Sequence, residues 1–242
     1  MRLSAPLPGA EVLSTFVLVP GAGGAAWDWH LLVPELERLG HEAIAVDILE
    51  DDPALGLPEY AGVVRAAMGE RDGVVLVAQS LGGFTAPMVA RDTSPAMIVL
   101  VNAMIPLPGE TPGDWWGATG SEDARRRNDE AAGRDTGVTI DTHFLHDVDP
   151  AALTGAGGSP QRAPAETPFG QPCEFERWPD IPIKVLVGSD DRFFPAEFQR
   201  RVARERLGVE ADEITGGHLV ALSNPVGLAA QLHAYAAQLR TA

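Results

Sequence analysis

The chain has 242 residues, and 34 acidic against 18 basic side chains give it a formal charge of −16. A surface of that sign repels phosphate backbones and anionic lipids, so we expect neither nucleic acid nor a membrane as a partner. The single cysteine, Cys173, excludes an internal disulfide framework and a cysteine-rich zinc site. No apolar run approaches the roughly 18 residues of a membrane span, and the first residues do not resemble a signal peptide. We therefore expect a soluble, cytoplasmic, globular protein.

Short apolar runs rich in β-branched residues alternate with amphipathic stretches along the chain. The runs predict strands at residues 16–19, 43–46, 74–78, 98–101 and 183–187, and a shorter strand that ends near residue 214. The amphipathic stretches predict helices at residues 29–39, 60–68, 81–91, 195–207 and 225–239. This alternation is typical of a doubly wound, mostly parallel sheet, whose ligands bind at the carboxyl ends of the strands. The predicted fold class is therefore α/β.

The alternation stops between residues 104 and 176, where Gly, Pro and charged residues dominate. A structureless loop of that length is unusual inside a compact domain. A partly disordered insertion is one interpretation of this segment. We favour the other, a lid that packs over the strand ends through its few large apolar side chains. The expected organisation is an α/β core made of residues 1–103 and 177–242, with a lid or cap formed by residues 104–176.

A serine follows the third predicted strand in the run AQSLGG, residues 78–83. A serine at a strand-to-helix turn needs small residues two positions before and two positions after it, and Ala78 and Gly82 meet that need. Such a turn lifts the Ser80 hydroxyl above the sheet and directs the backbone N–H of Leu81 into the same space. The same run is also explained if Ser80 is a helix N-cap and the two following glycines only allow close packing. The run alone leaves both interpretations open.

An acid and a histidine follow two later strands. The run GSDDRFFP, residues 188–195, comes directly after the fifth predicted strand, and His218 precedes the last helix in the run GGH. Separately, Asp190 and Asp191 are explained as turn or cap residues and His218 as a loop residue. Together with Ser80 they have the chain order serine, acid, histidine and the strand-end positions of a nucleophilic triad.

A glycine-rich loop, PGAGGAAW at residues 20–27, follows the first predicted strand. Such a loop lets backbone N–H groups approach an oxyanion without obstruction from side chains. A phosphate-binding loop is the alternative, but neither the G-x-G-x-x-G nor the G-K-[ST] spacing is present. The charge of −16 also disfavours a phosphate ligand. We interpret the segment as an oxyanion loop.

These segments resemble the α/β-hydrolase superfamily, and within it the small-esterase branch of plant methyl esterases, hydroxynitrile lyases and bacterial esterase-like proteins. The resemblance lies in residues 16–48, in LVAQSLGG (76–83), in VGSDDRFFP (187–195) and in GGHLVALSNP (216–225). Pro20 stands where the family usually has His, and Ala78 stands where it usually has Gly. The resemblance implies an α/β-hydrolase fold that needs no cofactor.

The resemblance also implies the role of each site residue. Ser80 would be the nucleophile, His218 the base, and Asp191 the orienting acid, because the family's G-x-x-D-x-x-x-P spacing selects Asp191 rather than Asp190. The oxyanion would bind the backbone N–H groups of Ala22 and Leu81. The expected substrate contacts are Gly21, Gln79, Met104, Trp115, Trp116, His143, Phe144, Phe193 and Leu219.

Two pairs of lid residues allow more than one interpretation. Trp115 and Trp116 either line an apolar pocket or anchor the lid. His143 and His146 would share one face if their segment were helical, but a metal site needs at least one more ligand. We expect these histidines to line a pocket or lie on a surface helix, and we expect no metal.

Differences between this sequence and particular members of the superfamily disfavour some of the reactions that those members catalyse. Hydroxynitrile lyases would require Thr at Gly21 and Lys at Leu219, and a serine nucleophile argues against dehalogenases and epoxide hydrolases. We therefore expect a serine hydrolase that cleaves a carboxylic ester of a small or medium apolar substrate through an acyl-enzyme. Thioester, lactone or C–C bond hydrolysis at the same site and a non-catalytic small-ligand receptor remain alternatives. The sequence does not set the oligomeric state, for which a homodimer is one option.

Overall fold

The computed structural model of the protein describes residues 13–48, 54–154 and 164–239. Six strands within these ranges form one parallel sheet in the order β2-β1-β3-β4-β5-β6. They are β1 (Thr15–Val19), β2 (Glu42–Ala45), β3 (Val74–Gln79), β4 (Met97–Val101), β5 (Ile183–Gly188) and β6 (Asp212–Ile214). The predicted α/β class with a parallel sheet is confirmed, and each predicted strand is present to within one or two residues.

Helices follow the strands and lie on both faces of the sheet. They are α1 (Leu32–Arg38), α2 (Leu57–Met68), α3 (Gly82–Asp92), α4 (Pro112–Thr119), α5 (Ser121–Ala131), α6 (Ile140–His143), α7 (Pro150–Thr154), α8 (Ala196–Leu207), α9 (Val220–Ser223) and α10 (Pro225–Leu239). The helix predicted at residues 29–39 is divided into a short 3-10 helix, Ala26–Trp29, and α1. The helix α9 was not predicted.

The central strands are apolar throughout because both of their faces are buried. In β1, Val17 and Val19 join the core on one face of the sheet, and Phe16 and Leu18 join the core on the other, all with no exposed surface. The first core is covered by α2, α3 and α8, and the second by α1 and α10. Burial on both faces explains why these runs do not alternate between apolar and polar residues.

The strand order creates a crevice at the carboxyl edge of the sheet. The chain passes from β1 to β2 on one side, and β3 then returns to the opposite side of β1. Connections diverge at such a switch point and leave space for a ligand above the strand ends. The glycine-rich loop follows β1, and Ser80 follows β3, so both border this crevice.

In the described part of the stretch between β4 and β5, residues 102–154 and 164–182, there are the helices α4 to α7 and a 3-10 helix at Thr167–Gly170. Its first part is anchored to the core by a buried ion pair between Glu110 and Arg206, and Arg206 also donates to the carbonyl of Ile105. The division into residues 1–103, 104–176 and 177–242 stays a prediction, and parts of each range lie outside the described residues. Within the described ranges, no helix is long and apolar enough to cross a bilayer.

Two Gly-to-Ala changes are expected to have opposite effects on the free energy of unfolding, because one glycine lies in the tight contact between α3 and Met104 and the other has open space around it. A Cβ at Gly83 would lie 1.9 Å from the carbonyl oxygen of Met104, whereas a Cβ at Gly117 in α4 would meet no atom within 4 Å. We expect Gly83→Ala to lower the free energy of unfolding by about 1–3 kcal/mol through overpacking. Gly117→Ala should raise it by about 0.5–1 kcal/mol, because alanine loses less entropy in a helix. Urea unfolding of both variants checks the pair, and equal effects would contradict the packing of α3.

Candidate active site

Ser80 lies in a strained turn between β3 and α3. Its φ of 51° is in the left-handed region, which non-glycine residues seldom adopt. The Ser80 carbonyl accepts hydrogen bonds from the N–H groups of Gly83 (3.1 Å) and Met104 (3.0 Å). A Cβ at Gly82 would lie 2.7 Å from the carbonyl oxygen of Pro20, so the turn also packs tightly against the loop after β1. These contacts hold the serine in a conformation that raises its side chain above the sheet.

The structure brings the predicted serine, histidine and acid together in one hydrogen-bonded chain. His218 Nε2 lies 3.0 Å from Ser80 Oγ, and His218 Nδ1 lies 2.8 Å from Asp191 Oδ2. An ionised carboxylate can only accept, so Nδ1 carries the proton and Nε2 is left to accept from the serine hydroxyl. His218 and Asp191 are almost completely buried. The arrangement fits a histidine ready to take the serine proton.

The two neighbouring aspartates occupy different environments. Asp191 is buried, and its Oδ1 accepts hydrogen bonds of 2.8 Å from the backbone N–H groups of both Phe193 and Phe194. Asp190 is exposed, and its carboxylate accepts from the Ser189 hydroxyl at 2.7 Å. Asp191, and not Asp190, is therefore bonded to the histidine.

The glycine-rich loop forms a tight turn beside Ser80. The N–H of Gly24 donates to the Gly21 carbonyl at 3.1 Å, and Gly23 has a φ of 69°. Asp28 Oδ2 accepts from the N–H of Ala25 at 2.8 Å and closes the far side of the turn. A Cβ at Gly21 would lie 2.7 Å from Ser80 Cβ, so the backbone of the loop approaches the serine directly. Only a residue without a side chain fits there.

The two expected oxyanion donors border this approach. Ala22 is in the turn after β1, and Leu81 is the N-cap residue of α3, directly after Ser80. Among the described residues, no backbone acceptor bonds the N–H of either one. Donors that are held by the backbone and have no other partner are suited to a developing negative charge.

Three phenylalanine rings surround the histidine. Phe144, from the stretch between β4 and β5, and Phe193 and Phe194, from the loop after β5, each meet the His218 ring edge-to-face with centroids 5.2 Å apart. Trp116 extends this group, with its ring 5.7 Å from Phe193. Such a shell excludes water and strengthens electrostatic interactions at the imidazole.

Three further predicted contacts lie beside Ser80 and His218. The side chain of Gln79 donates to the His218 carbonyl at 3.2 Å, and Met104 is buried with its backbone bonded to Ser80. Leu219 follows the histidine and lines a small cavity together with Gln79 and Trp29. Gln79 and Met104 are therefore engaged in holding the site's own backbone.

Trp115 and His143 lie in the interior of the protein. The Trp115 ring has no exposed surface, packs on Phe194 and Phe198, and donates its N–H to the Ile105 carbonyl at 3.1 Å. Of its two interpretations, this geometry is that of an anchor. His143 is equally buried, and its Nε2 lies 3.1 Å from Asp129 Oδ2.

The histidine pair does not share a helix face. Helix α6 ends at His143, so the condition for a common helical face with His146, a helix that includes both residues, is not met. His146 packs instead beside Asp147, and burial lowers its pKa, an effect that Asp147 opposes and Arg192 reinforces. Within the described ranges, no three His, Cys, Asp or Glu side chains are grouped as metal ligands.

A polar cavity of about 370 Å³ lies next to the acid loop. Its lining includes His146, Asp147, Asp190 and Arg192 and does not include Ser80. Asp147 Oδ2 accepts a hydrogen bond of 2.5 Å from the N–H of Gly217, the residue before the histidine. The stretch between β4 and β5 therefore touches the histidine loop at this point.

Two buried polar residues of the site were not predicted. Asn102 follows β4 directly, and Gln199 lies in α8, and both are hydrogen-bonded to the loops that carry His218 and Asp191. The position of Asn102, a polar residue at the end of a buried strand, is the one signal in the sequence that could have identified it. Gln199 has no such signal, because it lies inside an amphipathic helix.

Comparison with known proteins identifies the family. The family model described as "Alpha/beta hydrolase family" matches residues 16–231. The chain belongs to this family, as its resemblance to the superfamily predicted.

Curated relatives include enzymes of plant origin. Methyl jasmonate esterase 1 of Vitis vinifera is 26% identical over 90% of this chain and 94% of its own length. Methylesterase 3 of Arabidopsis thaliana is 32% identical over 45% of this chain and 46% of its own length. Norfluorocurarine synthase 1 of Strychnos nux-vomica is 39% identical, but the match spans only 30% of that protein. The relatives that match over most or part of this chain therefore include esterases of small organic molecules.

Solved structures share the fold over almost the whole chain. A pyrethroid hydrolase from Sphingobium faniae JZ-2 superposes with a TM-score of 0.72 at 21% identity, covering 93% of this chain and 97% of that one. Polyneuridine aldehyde esterase superposes with a TM-score of 0.70 at 19% identity, covering 92% and 98%. At these identities the likeness concerns the fold alone.

The contact between Gly21 and Ser80 predicts the effect of adding one methyl group. Gly21→Ala places a Cβ where Ser80 Cβ and Gln79 Oε1 each lie 2.7 Å away, so the serine or the loop must move. We expect the rate at which a fluorophosphonate labels Ser80 to fall about 100-fold, since a misplacement of about 1 Å costs that much. Mass spectrometry of the labelled protein measures this rate. Gly170→Ala, where a Cβ meets no atom within 4 Å, is the control; equal labelling of both variants would contradict the contact.

Proposed function

We propose that the protein is a serine esterase that hydrolyses a carboxylic ester of a small or medium apolar substrate. The observation that carries the proposal is the hydrogen-bonded chain from Ser80 through His218 to Asp191, with distances of 3.0 and 2.8 Å. Family membership supports it, because members of this family use that order of residues on that fold. The reaction needs no metal and no cofactor.

The first half of the proposed reaction forms an acyl-enzyme. His218 Nε2 takes the proton of Ser80 Oγ as the oxygen attacks the ester carbonyl, and the C=O bond becomes a C–O⁻ bond. The N–H groups of Ala22 and Leu81 stabilise this oxyanion. When the oxyanion collapses, the bond to the alkoxy group breaks and His218 returns the proton to the leaving alcohol. Asp191 stabilises the transient imidazolium.

The second half releases the acid. Water gives a proton to His218 Nε2 and attacks the acyl carbonyl, and a second oxyanion forms at the same two N–H groups. Its collapse breaks the bond to Ser80 Oγ, which takes the proton back from His218. Since both halves use one base and one pair of donors, the loss of any of them should slow the whole cycle.

The aromatic surroundings support an apolar substrate. Phe144 and Phe193 are half-buried and offer ring surface close to His218, and the half-buried Trp116 extends this surface beside Phe193. Gly21, beside Ser80, would contribute backbone surface, and Leu219, directly after His218, would contribute aliphatic surface. The names of the relatives, a methyl jasmonate esterase and a methylesterase among them, favour an ester of a small organic acid.

The same site would also serve neighbouring reactions. A thioester, a lactone or a C–C bond next to a carbonyl passes through the same kind of oxyanion, and a receptor would bind such a ligand without turnover. A cytoplasmic location stays a prediction. The oligomeric state stays open, with a homodimer as one option, and one chain carries all the residues of the proposed mechanism.

The nucleophile is tested with a fluorophosphonate and with p-nitrophenyl esters. We expect the folded protein to be labelled at Ser80 and to hydrolyse p-nitrophenyl acetate or butyrate, and Ser80→Ala to lower kcat by about 10⁴- to 10⁶-fold. The Ser80→Ala protein, checked for an unchanged unfolding temperature, is the control for labelling. Absence of label on the wild-type protein would refute the nucleophile. Label without turnover of any ester would favour the receptor or a specialised substrate.

The acid is tested by a matched pair of neighbouring substitutions. Asp191→Asn places an amide against His218 Nδ1 and favours the wrong tautomer, so we expect kcat to fall by about 10⁴-fold. Asp190→Asn changes an exposed side chain that does not contact the histidine and should leave kcat within about tenfold. Steady-state kinetics on one p-nitrophenyl ester compares the two. Equal losses would remove Asp191 from the mechanism.

A further inference from the structure

Two buried amide side chains join the loops of the site from behind. Asn102 has no exposed surface and Gln199 is 4% exposed, and neither has a part in the reaction steps above. Burying an amide is unfavourable unless its polar atoms find partners. The partners of these two side chains therefore indicate what they do.

Asn102 connects the histidine loop to β5. Its Nδ2 donates to the carbonyl oxygens of Gly217 (2.9 Å) and His218 (3.1 Å), and its Oδ1 accepts from the N–H of Gly188 (2.7 Å). The two carbonyls can only accept and the N–H can only donate, so one orientation of the amide satisfies all three. Its backbone is in the left-handed region, with a φ of 46°, which asparagine tolerates better than most residues. Asn102 thus holds the backbone on which the histidine stands.

Gln199 connects Asn102 to the acid. Its Nε2 lies 3.1 Å from Asp191 Oδ2, 2.6 Å from the Phe194 carbonyl and 3.3 Å from Asn102 Oδ1. All three neighbours are acceptors, which assigns the nitrogen of the Gln199 amide to this side. The Oε1 atom has no partner in the described part of the chain. The Gln199 amide therefore acts as a hydrogen-bond donor through Nε2, while its acceptor atom Oε1 stays unpaired in the described part of the chain.

The Gln199 bond reaches the oxygen that faces the histidine. Asp191 Oδ2 accepts from both His218 Nδ1 and Gln199 Nε2, while Oδ1 accepts from the two phenylalanine N–H groups. A donor on Oδ2 fixes the plane of the carboxylate and withdraws part of the negative charge that the imidazole feels. Both effects act on the histidine only through the acid.

We propose that Gln199, held by Asn102, is a positioning residue that orients the Asp191 carboxylate and moderates its field at His218. The proposal rests on the esterase function proposed above. It predicts that without the Gln199 donor the carboxylate rotates more freely and stabilises the imidazolium more strongly. The histidine then remains protonated, and unable to accept the serine proton, up to a higher pH.

A substitution at Gln199 leaves the other charged groups near the histidine loop in place. Asp147 and His146 pack against Gly217, Arg192 follows Asp191, and Asp190 accepts from the N–H of Gly216. Within the described ranges, the Gln199 side chain donates to Asn102, Asp191 and the Phe194 carbonyl, and it has no hydrogen bond to any of these four side chains. A change at Gln199 therefore reports on Asp191 and not on the loop's other charges.

The test substitutes an apolar side chain of similar length. We expect Gln199→Met to lower kcat for p-nitrophenyl acetate by about 10- to 100-fold, as for a misplaced catalytic group, with KM within twofold. We also expect the acid limb of the kcat/KM profile to move to higher pH. Val202→Ala shortens another buried side chain of the same helix and removes none of the hydrogen-bond partners of the Asp191 carboxylate, so it is the matched control and should leave the profile in place. If Gln199→Met does not fold, Gln199→Leu takes its place.

A second readout separates this proposal from the esterase proposal. The proton on His218 Nδ1 gives a downfield NMR signal, assigned by its loss in His218→Ala, and its position should change in Gln199→Met and not in Val202→Ala. That signal is measured whether or not any ester is turned over, so an inactive wild-type protein would refute the esterase function alone. An unchanged signal together with an unmoved acid limb, or an acid limb at lower pH, would overturn the role of Gln199.

Discussion

Two neighbouring strands end with a residue in the left-handed conformation, and the site depends on this constraint. Gln79 and Val101 are paired in the register of β3 and β4, so Ser80 and Asn102 take the next position on adjacent strands. Their φ values are 51° and 46°. Each such residue costs on the order of 1–3 kcal/mol and persists only where its surroundings enforce it. Here the buried sheet supplies that enforcement, and one turn presents a hydroxyl while the next presents an amide.

The constraint extends from these two turns to every loop of the site. The turn at Ser80 needs the close approach of the loop after β1, which Gly21 and Gly82 permit. The turn at Asn102 holds the histidine loop and the end of β5. The proposed oxyanion loop, Ser80, Asp191 and His218 therefore follow β1, β3, β5 and β6 at one edge of the sheet, and Asn102 follows β4 in the middle of that series. Rigid strands position such groups more accurately than free loops do.

The sequence predicted the core and the chain of Ser80, Asp191 and His218 well, for a physical reason. Strands that are buried on both faces have uninterrupted apolar sequences, and the carboxyl ends of parallel strands lie at the same edge of the sheet. Asn102 and Gln199 escaped prediction because their partners are side chains and backbone groups as far as 116 residues away. An amide inside a helix or at a strand end has no spacing that reveals such a partner.

The stretch between β4 and β5 was harder to predict for a different reason. Part of its interior is polar: the completely buried Asp129 is bonded to His143 and paired with Arg134 at 2.9 Å. Periodicity of apolar residues cannot reveal a helix pair that packs on an ion cluster. His143, expected at a pocket, thus serves the interior of this stretch, while Phe144, the next residue, turns its ring to His218.

In the loop after β5, which carries Asp191, the backbone and the side chains of the same two residues make different contacts. Phe193 and Phe194 bond Asp191 through their backbone N–H groups and surround His218 with their rings. Every amino acid except proline can supply the N–H, whereas the ring can be exchanged for another shape. Evolution or an engineer can therefore reshape the walls of this cleft at residue 193 while the acid keeps both of its backbone donors. A change at that position would alter the shape of the site and would keep the hydrogen bond between Asp191 and His218.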